Sequence, residues 1–258
     1  MKISLTSDLH VEFEPSYKFV DAGVDVVVFA GDVGEHPNEI NWINENAPDD
    51  RPVICVTGNH SRYNNNSSTV LEQIKKIAKP NVHFLENEEI QYEGVRFLGA
   101  TLWTDFSIYG YRDLARIQAA RYMNDYRMCA VNDFDAHTGE KFTRIMHPSD
   151  TLKIHKETVD WLKKKLIENF EGPTVVVTHH APSGKCIQKK YGIDNPINAA
   201  YASNLEHMMG KNVDVWMYGH MHQHRILHIN GTRVICNAKG YRNEVPEFDP
   251  EFMIEVNL

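Results

Sequence analysis

Residues 25–32 read DVVVFAGD: an apolar run, Val26 to Ala30, closed by Gly31 and then by the carboxylate of Asp32. β-Branched residues suit extended backbone. A run that is apolar at every position, rather than at every second one, belongs to a strand covered on both faces. The same pattern recurs along the chain. Lys2–Thr6 runs into Ser7-Asp8-Leu9-His10, and VICVT at 53–57 into Gly58-Asn59-His60. TVVVT at 174–178 runs into His179-His180, and VDVWMY at 213–218 into Gly219-His220-Met221-His222. Open α/β sheets bind ligands just beyond the carboxyl ends of their strands. Strand after strand, the chain therefore delivers Asp, Asn or His to one edge.

A further strand is expected over Val95–Trp103, and helices near Glu39–Asn46, Ser68–Lys79, Tyr111–Tyr122, Leu152–Phe170 and Ala202–Met209. The fourth helix has capping chemistry at Pro148–Thr151, a spaced apolar face (Val159, Leu162, Leu166, Phe170) and a stop at Gly172-Pro173. After Met221 short strands are expected at His224–Ile229, Thr232–Asn237 and Phe252–Val256, the first two joined by the hairpin signal Asn230-Gly231. The class is α/β. The 258 residues suit one well-buried core, so a single domain over 1–258 is expected. Residues 104–147 lack a clean period, yet their aromatics (among them Phe106, Tyr122, Tyr126 and Phe134) argue against disorder. This stretch is the candidate specificity segment.

A net charge of −8 argues against a general nucleic-acid coat protein, but a local cation can still draw an anionic substrate. No run approaches the ~18 apolar residues of a membrane span. The opening residues read as a strand rather than a leader, so a cytoplasmic protein with no membrane contact is expected. Cys55, Cys129, Cys186 and Cys236 are widely spaced, as reduced buried thiols would be.

Each polar cluster is ordinary alone. Asp8 suits a helix cap, His10 a surface, and Gly31-Asp32 or Asn59 a turn. His220 and His222 say more, because residues two apart on an extended segment point the same way. Five clusters in order, each after a strand, are not explained by turns.

The ordered set D-x-H (8–10), G-D (31–32), G-N-H (58–60), a lone His179 and G-H-x-H (219–222) resembles the calcineurin-like metallophosphoesterases. SDLHVEF (7–13), TLWTDF (101–106) and THHAPS (178–183) look like a subgroup of small bacterial and phage members. The resemblance implies a four-layer αββα sandwich holding two divalent metal ions. Asp8, His10, Asp32 and His222 would hold the first, Asn59, His179 and His220 the second, with Asp32 touching both. His60 would be the catalytic proton donor. Oxygen and nitrogen donors suit Mn, Fe or Zn. Two such ions generate hydroxide from a shared water near neutral pH, and histidine suits protonation of a leaving alkoxide.

Family members commonly follow G-N-H with an acid. Ser61 stands there instead, so the motif names no partner for His60. The protein Ser/Thr phosphatase pattern G-D-x-x-D-R-G is not met by residues 31–37. His180 and His224 flank proposed ligands and either brace them or simply pack. The expected activity is hydrolysis of phosphate esters, phosphodiesters or nucleotide-like small molecules, by hydroxide shared between the ions. A metal-dependent nuclease is the alternative, and a non-catalytic scaffold a lesser one, since no ligand position has eroded. Specificity is expected from Arg121 and Tyr122, a guanidinium for phosphate and a ring for stacking, with Lys185–Tyr191 as the other place to look.

Overall fold

The computed structural model describes residues 1–192 and 194–257. In chain order the strands are β1 (Lys2–Thr6), β2 (Val26–Ala30), β3 (Val53–Val56), β4 (Val82–Phe84), β5 (Glu88–Tyr92), β6 (Val95–Ala100), β7 (Ala130–Phe134), β8 (Lys141–Ile145), β9 (Thr174–Thr178), β10 (Val215–Tyr218), β11 (His224–Ile229), β12 (Thr232–Asn237) and β13 (Met253–Glu255). The helices are α1 (Asn38–Asn46), α2 (Val70–Ile77), α3 (Arg112–Tyr122), α4 (Asp125–Met128) and α5 (Pro148–Ile167).

One sheet has the order β13-β1-β2-β3-β4, and the other β11-β12-β10-β9-β6-β5. Successive side chains of a strand face opposite ways, so a continuously apolar strand feeds two cores. Ile3, Leu5, Val26 and Val28 of the first sheet meet Val175, Val177, Val215 and Met217 of the second, and this is the middle of the molecule. The alternate residues Val27 and Phe29 pack on Ile40 and Ile43 of α1 and Val70 and Ile74 of α2. On the far side Val176 and Trp216 pack on Val159, Leu162 and Leu166 of α5. The result is an αββα sandwich with parallel central strands. Just past the carboxyl ends of β1 and β12 the two sheets are stitched together. Ser7 N donates to Asn237 O (3.2 Å), and Lys239 N to Ser7 O (3.0 Å).

Three expectations need correction. Ala202–Met209 is not a helix. Ala202 bridges Ala181, Ser203 N donates to Ala181 O (3.0 Å), and only Glu206–Met208 makes a 3-10 turn. Extended pairing has taken the backbone groups that a helix would need. Second, α5 begins at Pro148, whose fixed φ suits a first turn. It ends at Ile167, short of Phe170, where Arg96 and Asn212 side chains donate to the carbonyls of Lys165 and Leu166 (3.1 and 2.8 Å). Third, residues 104–147 are not irregular throughout. They hold the expected helix as α3, and also α4 and the hairpin β7–β8, with Ala115, Ala119, Met123 and Tyr126 packed against Phe106, Ala199 and Ala200. All four cysteines are buried and unpaired. No helix among the described residues is long and apolar enough to cross a membrane.

Candidate metal centre

Five of the residues that end these strands adopt left-handed backbone: Asp8 (φ 53°), His10 (49°), Asp32 (49°), His220 (64°) and His222 (40°). Each such residue costs roughly 1–2 kcal/mol, and strain of this kind persists where surrounding structure enforces it. The sharp turns bring side chains from both sheets to one place. Two glycines make the approach possible. A β-carbon at Gly58 would collide with the Asp32 carboxylate, and one at Gly219 would meet Ala30 O at 2.6 Å and Asp8 Oδ2 at 2.8 Å.

The expected ligands converge in two groups, Asp8–His10–His222 and Asp32–His179–His220, each offering donor atoms within 4.8 Å of one another. In the first group, ring nitrogens of His10 and His222 are each held by a carboxylate. His10 Nδ1 lies 3.2 Å from Glu12 Oε1, and His222 Nδ1 lies 2.6 Å from Glu244 Oε2. That leaves the two Nε2 atoms facing one another at 3.1 Å, with Asp8 Oδ1 3.5 Å from His222 Nε2.

In the second group, His179 Nδ1 donates to Ala30 O (3.0 Å). Asn59 Nδ2 donates to Tyr63 OH (2.9 Å), which turns Asn59 Oδ1 toward His179 Nε2 at 2.9 Å. Asp32 Oδ2 is 3.2 Å from the same nitrogen. Buried His220 Nε2 has no hydrogen-bond partner. Nitrogen and oxygen atoms that converge this closely need a positive charge between them, a proton or a metal ion, and this donor set fits divalent cations.

The electrostatics agree. Burial disfavours charge on His222 and His179, but the carboxylates of Asp8, Glu244 and Asp32 outweigh it and push them up to about 10 and about 9. Burial likewise opposes ionisation of Asp32, yet the neighbouring imidazoles of His179 and His60 hold it well below its ordinary value. Burial pushes His220 well down, so its imidazole stays neutral with a lone pair to offer.

His60 is only 7% exposed, and its Nδ1 lies 2.8 Å from Glu12 Oε1. The partner that Ser61 does not supply therefore comes from the β1 turn. Burial opposes ionisation of Glu12, but hydrogen bonds with His10 and His60 bring it to about 2. His10, Glu12 and His60 also form a third convergent group. Its two hydrogen bonds, at 3.2 and 2.8 Å, orient both imidazoles, with Glu12 as the shared brace.

Sequence reasoning missed Glu12, Glu244, Tyr63, Tyr201, Tyr241 and Asp125. Glu12 stood in the quoted SDLHVEF run two residues past His10, the one signal available. The others come from loops or short turns. Of the two flanking histidines, His180 donates Nδ1–H to Thr101 O (3.2 Å) and His224 pairs with Asn237 (2.8 Å), and neither joins the convergent groups.

Beside the centre lies a cleft of about 390 Å³, walled by His60, His220 and His222 and by the rings of Tyr63, Tyr122 and Tyr201. Arg121 is absent from the described lining; its guanidinium sits 5.4 Å from the ring of Tyr122. Arg112 and Arg116 pair with Asp105 and Asp113 at 3.7 and 3.6 Å, and Lys185 with Glu206 at 2.8 Å.

Comparison with known proteins adds identity to this geometry. The calcineurin-like phosphoesterase family profile matches residues 1–224. An uncharacterized protein, L509, of Acanthamoeba polyphaga mimivirus is 27% identical over 218 residues, spanning 80% of this chain and 74% of that one. The structure of phosphopantetheinyl hydrolase (PptH) from Mycobacterium tuberculosis superposes with a TM-score of 0.61 at 17% identity, covering 93% of this chain and 89% of its own. At that identity the likeness is one of fold. The chain belongs to the calcineurin-like phosphoesterase family and is a phosphoric ester hydrolase.

Proposed function

We propose that the protein is a dinuclear metal-dependent phosphoesterase that hydrolyses small phosphodiesters or nucleotide-like esters. The carrying observation is the pair of lone-pair clusters: Nε2 of His10 against Nε2 of His222, and Nε2 of His179 against Asn59 and Asp32. Asp8, His10, Asp32 and His222 would hold one ion, and Asn59, His179 and His220 the other, with Asp32 shared. The donor set suits Mn, Fe or Zn. When bound, the two ions supply Lewis acidity that activates water near neutral pH and neutralises phosphate charge.

The protein's own groups do the rest. Glu12 occupies His60 Nδ1, so Nε2 is the atom left to give a proton to the leaving alkoxide. Glu12 is paired with the His60 imidazolium, so the carboxylates of Asp8, Asp32 and Glu244 set against two divalent ions would leave about one positive charge. That balance suits one phosphate better than a polyanion. The cleft is the size of a small-molecule site. Its described lining has no lysine or arginine to track a nucleic-acid backbone, which supports small esters over the nuclease alternative. Tyr122 on its wall is proposed to stack on the substrate, with Arg121 holding the ring. Four buried, unpaired thiols suit a reducing cytoplasm.

The test is a panel assay of the metal-loaded protein. It covers nitrophenyl mono- and diesters, 3′,5′- and 2′,3′-cyclic nucleotides, a phosphopantetheinyl ester, single-stranded DNA and a phosphopeptide. The proposal predicts turnover of small diesters. Preferential turnover of long DNA would replace it with the nuclease reading, and no turnover with Mn, Fe or Zn would replace it with the scaffold.

A further inference from the structure

Among the acidic groups of the cleft's described lining, one has no part in the metal chemistry. Asp125, the first residue of α4, lines the cleft and is 1% exposed. Its Oδ1 has no hydrogen-bond partner. A buried carboxylate oxygen without a donor is costly, and native structures keep few of them without a role. Burial pushes this carboxyl up to about 6, with the charge of nearby Asp32 adding to the effect. A hydrogen-bond donor brought in by a ligand would relieve that cost.

The rest of the wall agrees on the ligand's character. Besides proposed metal ligands and His60, it offers the carboxylate of Glu244, the amides of Asn124, Asn195 and Asn198, and five tyrosine rings, Tyr122 and Tyr201 among them. Two cations border lining rings, Lys190 at 5.0 Å from Tyr191 and Arg121 at 5.4 Å from Tyr122, and neither is among the described lining residues. A second anionic group in this cleft would meet the carboxylates of Asp125 and Glu244 and no lysine or arginine among the described lining residues. An N–H group, from a base amine or an alkyl ammonium, would find an acceptor at Asp125 and π-faces around it.

Resting on the phosphoesterase reading, we infer that the cleft is a specificity subsite for an esterified group that carries an N–H donor and no second anionic charge, with Asp125 as its acceptor.

The test uses the full chain loaded with Mn²⁺ and two matched pairs of 4-nitrophenyl phosphodiesters. One pair carries adenosine or purine riboside, which lacks only the exocyclic amine. The other carries ethanolamine or propanol, which places a methyl where the ammonium stands. In one of the two pairs the donor-bearing ester should show about tenfold higher kcat/KM, expressed mainly in KM, as expected for a hydrogen bond to a charged group. Which pair responds tells a base amine from an ammonium. Asp125→Leu should erase the preference. Asp125→Asn, which keeps size and shape, should reduce it if the leucine variant fails to fold.

Calorimetric titration with the matching monophosphates reads the same preference without turnover. In that assay adenosine 3′,5′-bisphosphate should bind more weakly than adenosine 5′-monophosphate. Equal affinity within both pairs, a preference that survives both Asp125 variants, or tighter binding of the bisphosphate would each overturn the inference. Failure of wild type to hydrolyse any diester would count against the phosphoesterase reading, and calorimetry would still decide the subsite.

Discussion

A single carboxylate, Glu12, braces two imidazoles with different proposed tasks. It holds His10 at 3.2 Å and His60 at 2.8 Å through the same oxygen. Burial lowers the His60 pKa, but Asp32 and Glu12 outweigh it, so the imidazolium persists to higher pH than usual. Glu12→Gln removes one of the charges that favours the imidazolium. His60 should then lose its proton at lower pH, and the alkaline limb of the pH–kcat profile for a nucleoside ester should move toward acid. An unmoved limb would mean that Glu12 does not tune His60. His60→Ala should lower turnover of an ester with an alkoxide leaving group far more than that of a nitrophenyl ester, whose leaving group needs little protonation. Equal losses on both would make His60 structural. The strand-end residues were legible in the sequence because each follows directly on an apolar run. Glu12 and Glu244 were not, because they reach the centre through turns whose paths no periodicity announces.

Among the elements, α1 carries a charge-bearing residue into the interior. Glu39 is 0% exposed, and neither carboxylate oxygen has a hydrogen-bond partner. Burial pushes it from the ordinary 4.5 up to about 8, with the Ser61 hydroxyl opposing and the charges of Asp32 and Glu12 adding. Between those values the folded chain keeps a proton that the unfolded chain has released, so stability falls as pH rises across this window. Glu39→Gln removes that dependence. Its stability relative to wild type, read by urea denaturation, should improve from about pH 5 to about pH 8. A constant difference across that range would show that Glu39 is ionised in the fold.

Element by element, sequence reading succeeded for β1, β2, β9, β10 and the β11–β12 hairpin, whose apolar patterning is dense. It missed β4 and β5, and it missed β7–β8, where Phe134, Phe142 and Ile145 lie 45–63% exposed on a hairpin with polar residues between them. With so little of that hairpin buried, the sequence carries no two-residue hydrophobic period to read.

In the whole molecule, an acidic protein of net charge −8 concentrates its demand for positive charge at one edge. Both sheets contribute there: Asp8, Asp32 and Asn59 from one, His179, His220 and His222 from the other. Metal binding should therefore clamp the sandwich as well as arm it, and raise Tm on reconstitution. Elemental analysis of Mn²⁺-reconstituted, desalted protein tests whether two ions share Asp32. Wild type should retain close to two ions per chain, Asp8→Asn should lose mainly the first, and Asp32→Asn should lose occupancy at both sites. A fully active wild type that retains one ion or none would contradict that sharing.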